Sequence, residues 1–533
     1  MLYPALSQVE HVIALHPVYE FLSQMEIRGF TPHSSLTYLP LEKKQIVSML
    51  NDIRKNENKL SSAEMSVLQH FEKEFEIIPR ENTVLIYSDT DTNQIIFSGL
   101  ISDREKFIYH YDDKKHNVNF LPLANFEAIF EKSDTASGSV TLGNLGFRLH
   151  GTLSALVGYN LQVTNGAKIS GDRNIALENR KLKHNVKFSM LNSDFDFVES
   201  HIRFQYDWFY AIIGRENRHV GAGIMQSLFL SDNAPPMDGF SLGARFSNFE
   251  YRFDHFSMLA YAVNDSTQVG FTSIIPPKYL SMHTFSYRPS WGELSYIQSI
   301  TYSGRAAELA YLTPLSFSKS LEHSLHDRDK TMMGFFGTVR PIRNLQLKGG
   351  WMLEDIIISR IGTGYWSNKT AWNIGASFAL PFSASIGAEY TRVEPYMFTH
   401  FNYQNNRTND GVLIGTYLFP NSDEKAMLIR WFWGGRYPII LKLGYIRHGE
   451  NITDSSGKII RNVGGDPRYC MQLPRDSEKV SFLDGNLREN LFAQLSGGIE
   501  LFRGFNLKAT YSLLSESDKL KHNFYISINF SDF

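Results

Sequence analysis

A single cysteine, Cys470, among 533 residues excludes an intramolecular disulfide framework, a cysteine-based zinc site and an iron–sulfur cluster. Neither charge is in surplus: 53 Lys and Arg stand against 55 Asp and Glu, a net of −2. The basic excess that marks a nucleic-acid binder is therefore missing. No run of about 18 apolar residues occurs, which leaves no transmembrane helix. Residues 1–10 lack the basic start and apolar core of a signal peptide, so an exported protein would be represented here in mature or trimmed form. Phosphate-binding glycine loops and an H-E-x-x-H helix are absent too. Nothing marks an enzyme or calls for a cofactor.

Aromatics, in contrast, are abundant: 39 Phe, 26 Tyr and 7 Trp, with only 20% of residues charged. Mean hydropathy is nonetheless −0.24. In an outer-membrane barrel only alternate residues face lipid, so average hydropathy stays near that of a soluble protein. A membrane protein without membrane helices fits this composition.

The first 80 residues have helical texture. Val18, Phe21, Leu22 and Met25 share one face before Gly29, a plausible helix stop. Ile46, Leu50 and Ile53 repeat the pattern. A third helix starts at Ser61 or Ser62, with Glu64 placed for a capping box. Each is too short to be stable alone, so they are expected to pack on the barrel's inner mouth or on a periplasmic partner. Residues 1–80 are assigned to this helical region and 81–116 to a connector.

From about Asn117 to Phe533 the chain alternates in segments near ten residues long. Read back from the C-terminus, connections alternate between tight and long. Arg503-Gly504, Gly434-Gly435, residues 381–383, 341–344 and 289–292 are tight, whereas 448–489, 401–425, 303–330, 264–280 and 215–239 are long. Short periplasmic turns and long outer loops are the mark of outer-membrane barrels. The count reaches about 18 strands, the region 165–199 being the hardest to divide. An all-β transmembrane barrel, preceded by a small helical domain, is the expected fold.

Several motifs have a bland explanation. Gly239 to Gly243 matches G-x-S-x-G, but it leads into an alternating strand, so Ser241 is a strand position and no nucleophile. His323, His326, Asp327 and Asp329 are metal-capable residues in a polar outer loop, where solvation is the ordinary state; no metal site is assigned. Asn-x-Ser/Thr sequons at Asn264, Asn368, Asn406 and Asn451 are chance matches in a bacterial barrel. Cys470 is a buried or incidental thiol.

Two segments are richer. Residues 215–239 hold Arg215, Arg218 and His219, two glycines, a rigid Asn-Ala-Pro-Pro turn containing Asn233, and Asp238. Residues 388–400 alternate Tyr390, Arg392 and Glu394 on one face and add Tyr396 and His400. Sugar recognition uses such groups, with planar aromatics against C–H faces and charged or amide side chains on hydroxyls and carboxylates. The competing reading is a network that ties loops together inside the lumen.

At these segments the chain resembles the Wzi family of capsule-assembly outer-membrane proteins. The resemblance rests on the Gly214-Arg215 strand end with its glycine-containing loop, Ser-x-Asn-Ala-Pro-Pro at 231–236, Tyr-Leu-x-Pro-Leu at 311–315 and Tyr-x-Arg-x-x-Pro-Tyr at 390–396. The opening His16-Pro17-Val18-Tyr19 is similar to members with an N-terminal helical region. It implies an 18-stranded barrel in the bacterial outer membrane, with helices at its periplasmic end. It also implies a surface lectin that attaches or organises capsular or extracellular polysaccharide. The alternative is a channel, or a structural subunit of a surface or secretion assembly. Bulky residues in 215–239 and the helical N-terminus favour an occluded lumen over an open pore.

Overall fold

The computed structural model describes residues 8–32, 36–75, 82–84, 101 and 105–531, apart from 114, 135, 192, 265–272, 471–476 and 517–518. Most of the expected connector, and the terminal Phe533, lie outside the described residues.

The body of the chain is a closed antiparallel barrel of 18 strands. In chain order they are β1 (Asn117–Ser133), β2 (Ser137–Leu153), β3 (Val157–Gly171), β4 (Asp194–Tyr206), β5 (Phe209–Glu216) and β6 (Met237–Phe246). Then come β7 (Phe249–Leu259), β8 (Pro277–Tyr287), β9 (Gly292–Ser303), β10 (Lys330–Ile342), β11 (Leu345–Asp355) and β12 (Lys369–Leu380). The last are β13 (Ala384–Val393), β14 (Ser422–Trp431), β15 (Ile439–Glu450), β16 (Asn486–Phe502), β17 (Phe505–Glu516) and β18 (Lys519–Phe530). Closure is made by β18 on β1, in register from Lys521↔Ser133 to Phe530↔Ala124.

The alternation of tight and long connections holds for most of the circuit. The exceptions are the outer links from β1 to β2 and from β17 to β18, which are as short as inner turns. Tyr206, Trp208, Phe246, Phe249, Tyr287 and Trp291 are exposed around the inner turns, an aromatic girdle of the kind that sits at a membrane interface. The protein is an outer-membrane barrel.

Three helices precede it: α1 (Val18–Ile27), α2 (Lys43–Arg54) and α3 (Ser62–Glu74). Ser61 and Glu64 form the expected capping box at the start of α3. Val18, Phe21, Leu22, Ile46, Leu50 and Phe71 are buried in one shared core. Phe432, from the inner turn between β14 and β15, belongs to the same core, its ring 5.7 Å from that of Phe21. Arg430 holds Glu20 at 2.6 Å and Arg436 holds Glu74 at 2.6 Å. Charged wall and turn residues thus bolt the helices to the tight-turn mouth.

Inside, the lumen is filled on one side only. Inward side chains of β7–β11, including Phe256, Met282, Ile297, Met332, Phe336 and Met352, form an apolar core with residues of two inward-folded outer loops. One loop joins β5 to β6; the other joins β13 to β14. Phe229, at the tip of the first, lies so close to the wall that a Cβ on Gly334 would stand 2.7 Å from its ring, and Ile224 approaches Gly375 equally closely. The glycines leave room for the loop. From the opposite end Tyr38 and Leu39 enter as a short strand and pair with Val220 and His219 of that loop.

Candidate ligand cavity

The other side of the lumen is hollow. A cavity of about 1580 Å³ lies between β1–β4 and β17–β18. Its wall follows from strand alternation: polar residues point in, while Phe126, Phe130 and Phe524 point out and are exposed. Amides dominate the wall, with Asn125 on β1, Asn144 on β2, Gln162 on β3 and Asn529 on β18. Thr164, Thr510, Tyr525 and Ser527 add hydroxyls. Asn144 Oδ1 and Asn529 Oδ1 are buried acceptors with no hydrogen-bond partner among the described residues.

The floor is Ile13–Leu15 of the N-terminal strap, and the loop between β3 and β4 covers part of the mouth with Asn179, Lys181 and His184. Lining carboxylates (Glu127, Asp196, Glu199, Asp232 and Asp238) and cations (Lys181, Lys187, Arg215 and Lys508) nearly balance. Such a surface offers donors and acceptors to a polyhydroxylated ligand without demanding one charge sign.

Of the first sequence segment, Arg215, His219, Asn233 and Asp238 reach this cavity. Arg215 and Asp238 are direct neighbours across β5 and β6 and make a 3.0 Å ion pair on the rim. Burial drives the His219 imidazole down to about 4, so the ring is neutral. Asn233 donates to Leu413 O at 2.7 Å and so ties the two inward loops together. Arg218 is placed differently. It is buried, donating to Ser241 Oγ at 2.6 Å and pairing with Asp254 at 3.1 Å and Glu216 at 3.0 Å. Its burial lowers the guanidinium, but Glu216, Tyr38 and Asp254 outweigh that and raise it above its ordinary value.

The second segment stands apart, and none of its residues lines the cavity. Glu389 points inward, receiving the Ile224 backbone N–H at 2.5 Å; its alternating neighbours Tyr390 and Arg392 therefore face outward. Tyr390 donates to Asp423 at 2.9 Å, and Arg392 pairs with Glu394 at 2.6 Å and covers the Phe482 ring at 3.7 Å. Tyr396 is buried and donates to Asn462 O at 2.7 Å. His400 is packed on Phe401, 4.1 Å between ring centres, and burial lowers it to about 4.

The wall amides escaped sequence reading. Their signal was alternation itself: in β1, Asn117, Asn119 and Asn125 share one face while Phe126 and Phe130 share the other.

His11, His201 and Glu216 form a buried cluster with metal-capable geometry. The tautomers oppose an ion there. His201 Nε2 accepts the His11 backbone N–H at 3.2 Å, which leaves Nδ1 as the protonated atom, facing Glu216 at 3.1 Å. Arg218 occupies the other Glu216 oxygen. The trio is a clamp on the N-terminal strap.

An outer-membrane barrel closed by a helical plug and half-filled by its own loops is the class that fold and cavity define. Among solved structures the chain is similar to Wzi of Escherichia coli, with a TM-score of 0.59 and 12% identity over 98% of this chain and 100% of that one. OccAB4 of Acinetobacter baumannii aligns over 77% of this chain and 97% of its own, at 9% identity and a TM-score of 0.44. OprD of Pseudomonas aeruginosa aligns over 78% and 96%, at 10% identity and a TM-score of 0.42. No family model and no curated protein matches the sequence.

Proposed function

We propose that this barrel binds polysaccharide at the cell surface and helps to attach or organise capsular or extracellular polysaccharide there. The observation that carries the reading is the amide-lined, nearly charge-balanced cavity of about 1580 Å³ in one half of the lumen. It is supported by the likeness to Wzi, a carbohydrate-binding β-barrel involved in group 1 capsule assembly in Escherichia coli. In this reading the wall amides bond sugar hydroxyls, and Arg215, His219, Asn233 and Asp238 contact the chain at the mouth. Arg218, Tyr396 and His400 hold the loops. Tyr390, Arg392 and Glu394 serve polymer lying outside the barrel rim.

The test is a glycan array followed by calorimetry with the purified barrel. Thr510→Val and Asn144→Leu should each weaken binding by roughly 0.5–1.5 kcal/mol, the net worth of one hydrogen bond. A barrel that binds no glycan, or variants that bind as the parent does, would end the proposal.

A channel is the second reading, and one observation favours it. Ile13 lines both the outer cavity and a smaller inner pocket of about 120 Å³. Inward polar residues of β1–β3 continue from one space to the other, as Asn125 and Asn144 give way to Asn119 and His150. Steady conductance of the intact protein in planar bilayers would favour the channel over the lectin.

A further inference from the structure

The loop between β9 and β10, residues 304–329, does not enter the lumen. The register shows where it goes. Asp254 faces inward to Arg218, and Asp254 pairs with Met282, Met282 with Ser299. The alternate residues Phe253, His255, Ser281, His283, Gln298 and Ile300 therefore point out of the barrel. On a lipid-facing wall they would be exposed. All are buried instead, from 0% to 6% exposed.

His255 bonds Tyr302 Oη at 2.9 Å on the same outer face; over Ser281, His283, Gln298 and Ile300 the cover is the loop. Ser281 Oγ donates to Tyr311 O at 2.8 Å, and His283 Nδ1 lies 3.1 Å from Pro314 O. Tyr251 Oη, near the inner end of β7, also donates to Pro314 O. Gln298 bonds the loop twice, donating to Ser316 O at 2.6 Å and accepting from Ser318 N at 3.1 Å. Arg305 and Asp329 close the root of the loop with an ion pair of 2.5 Å. At about 3.3 Å per residue, Gln298 lies roughly 17 Å down the strand from Ser303, so the loop descends well below the outer rim.

Irregular backbone has no place against hydrocarbon unless its polar groups are satisfied. Here the wall supplies the partners, and outward polar residues that would be costly in lipid are consumed in the same bonds. The free side of the loop is graded. Leu315 is 78% exposed and Phe317 49%, next to the contacts that Pro314 and Ser316 make at the level of His283 and Gln298. Leu309 lies higher, after Glu308, whose N–H bonds Tyr302 Oη. Asp327 is exposed two residues before the root pair of Asp329. Leu315 and Phe317 thus lie low, and the acidic residues 327 and 329 stand at the rim. The exposed surface continues into Phe285 and Phe335, outward residues of β8 and β10.

We propose that residues 304–329 form a flap embedded in the bilayer against the outside of the barrel, with Leu315 and Phe317 in contact with lipid acyl chains. The occupant of this surface is hydrocarbon, because the flap continues the barrel's own apolar face and its acidic residues 327 and 329 stand toward the headgroups.

The experiment is site-directed spin labelling of the full chain in lipid vesicles. Cys470 is the lone cysteine; in a Cys470→Ser background, Leu315→Cys and Asp327→Cys are labelled separately. Oxygen, which partitions into hydrocarbon, should relax the label at 315 more strongly than an aqueous nickel chelate does. The ratio should shift toward nickel at 327. Dominant nickel access at 315 would place the flap in water and overturn the proposal. Low access to both reagents would mean a protein partner on that surface, and would overturn it equally. Phe317→Cys repeats the measurement should Leu315→Cys fail to insert, with the same criteria.

Discussion

Arg218 Nη1 stands 3.1 Å from Asp254 Oδ1, and the two side chains are 2% and 0% exposed. A pair sealed in this way behaves differently from a ligand-binding arginine. Removing one member leaves the other charged, buried and unmatched, at a cost of about 3–5 kcal/mol. Arg218→Ala should therefore lower the temperature at which the barrel changes its gel mobility. Glycan affinity measured on the folded fraction should hold. An unchanged melting temperature with lost affinity would move Arg218 from the scaffold to the ligand.

Gly375 offers a second check. A Cβ there would lie 2.7 Å from Ile224 Cδ1; Gly375→Phe, too large for a rotamer change of Ile224 to absorb, should push the inward loop off the wall. Overpacking of this kind costs about 1–3 kcal/mol. The expected readout is protease cleavage between β5 and β6 in intact barrels, with the β-sheet circular dichroism retained. Resistance equal to the parent would show that the loop is held elsewhere.

Acid should release the helical plug. Burial raises the Glu74 carboxyl, but Arg436 and Arg503 more than offset it and hold the group well below its ordinary 4.5. A depressed carboxylate stabilises the docked state above its unfolded value and loses that contribution as pH falls through the folded one. Docking should thus be at full strength near neutrality and weaken below about pH 4.5. Proteolysis of α3 across a pH series would follow it. Glu74→Gln should flatten the profile; an unaltered profile would locate the acid-sensitive group elsewhere.

Removing residues 1–79 should leave an inserted barrel, since the strand ladder is complete without them. It should also open it. Tyr38 and Leu39 pair with the inward loop, and Tyr38 Oη donates to Asp254 at 3.0 Å. Planar-bilayer conductance of the truncated chain should exceed that of the parent, and equal conductance would mean that the outer loops alone close the lumen.

The barrel and its size were legible because strand alternation and connection length are local properties of a chain. So was the α3 capping box, Ser61 with Glu64, which spans three residues. The site was legible in part. Alternation places Tyr390 and Arg392 on one face but does not say which face is the lumen; that depends on Glu389 meeting Ile224, far away in sequence. The flap was hidden for a related reason. Ser281, His283 and Gln298 break an apolar face, and only the distant backbone of residues 311–318 explains the break.

The half-filled lumen has a consequence for how the molecule comes apart. The hollow side contains the seam where β18 meets β1, so the first and last strands have little packed behind them. Across the barrel, β7–β11 are braced by the apolar core. Under heat or mechanical load the cylinder should unzip along the β1–β18 seam, the hollow flank peeling back while the braced arc persists as an open, curved sheet. Amide exchange should rank the strands in that order, fastest at the seam and slowest opposite it.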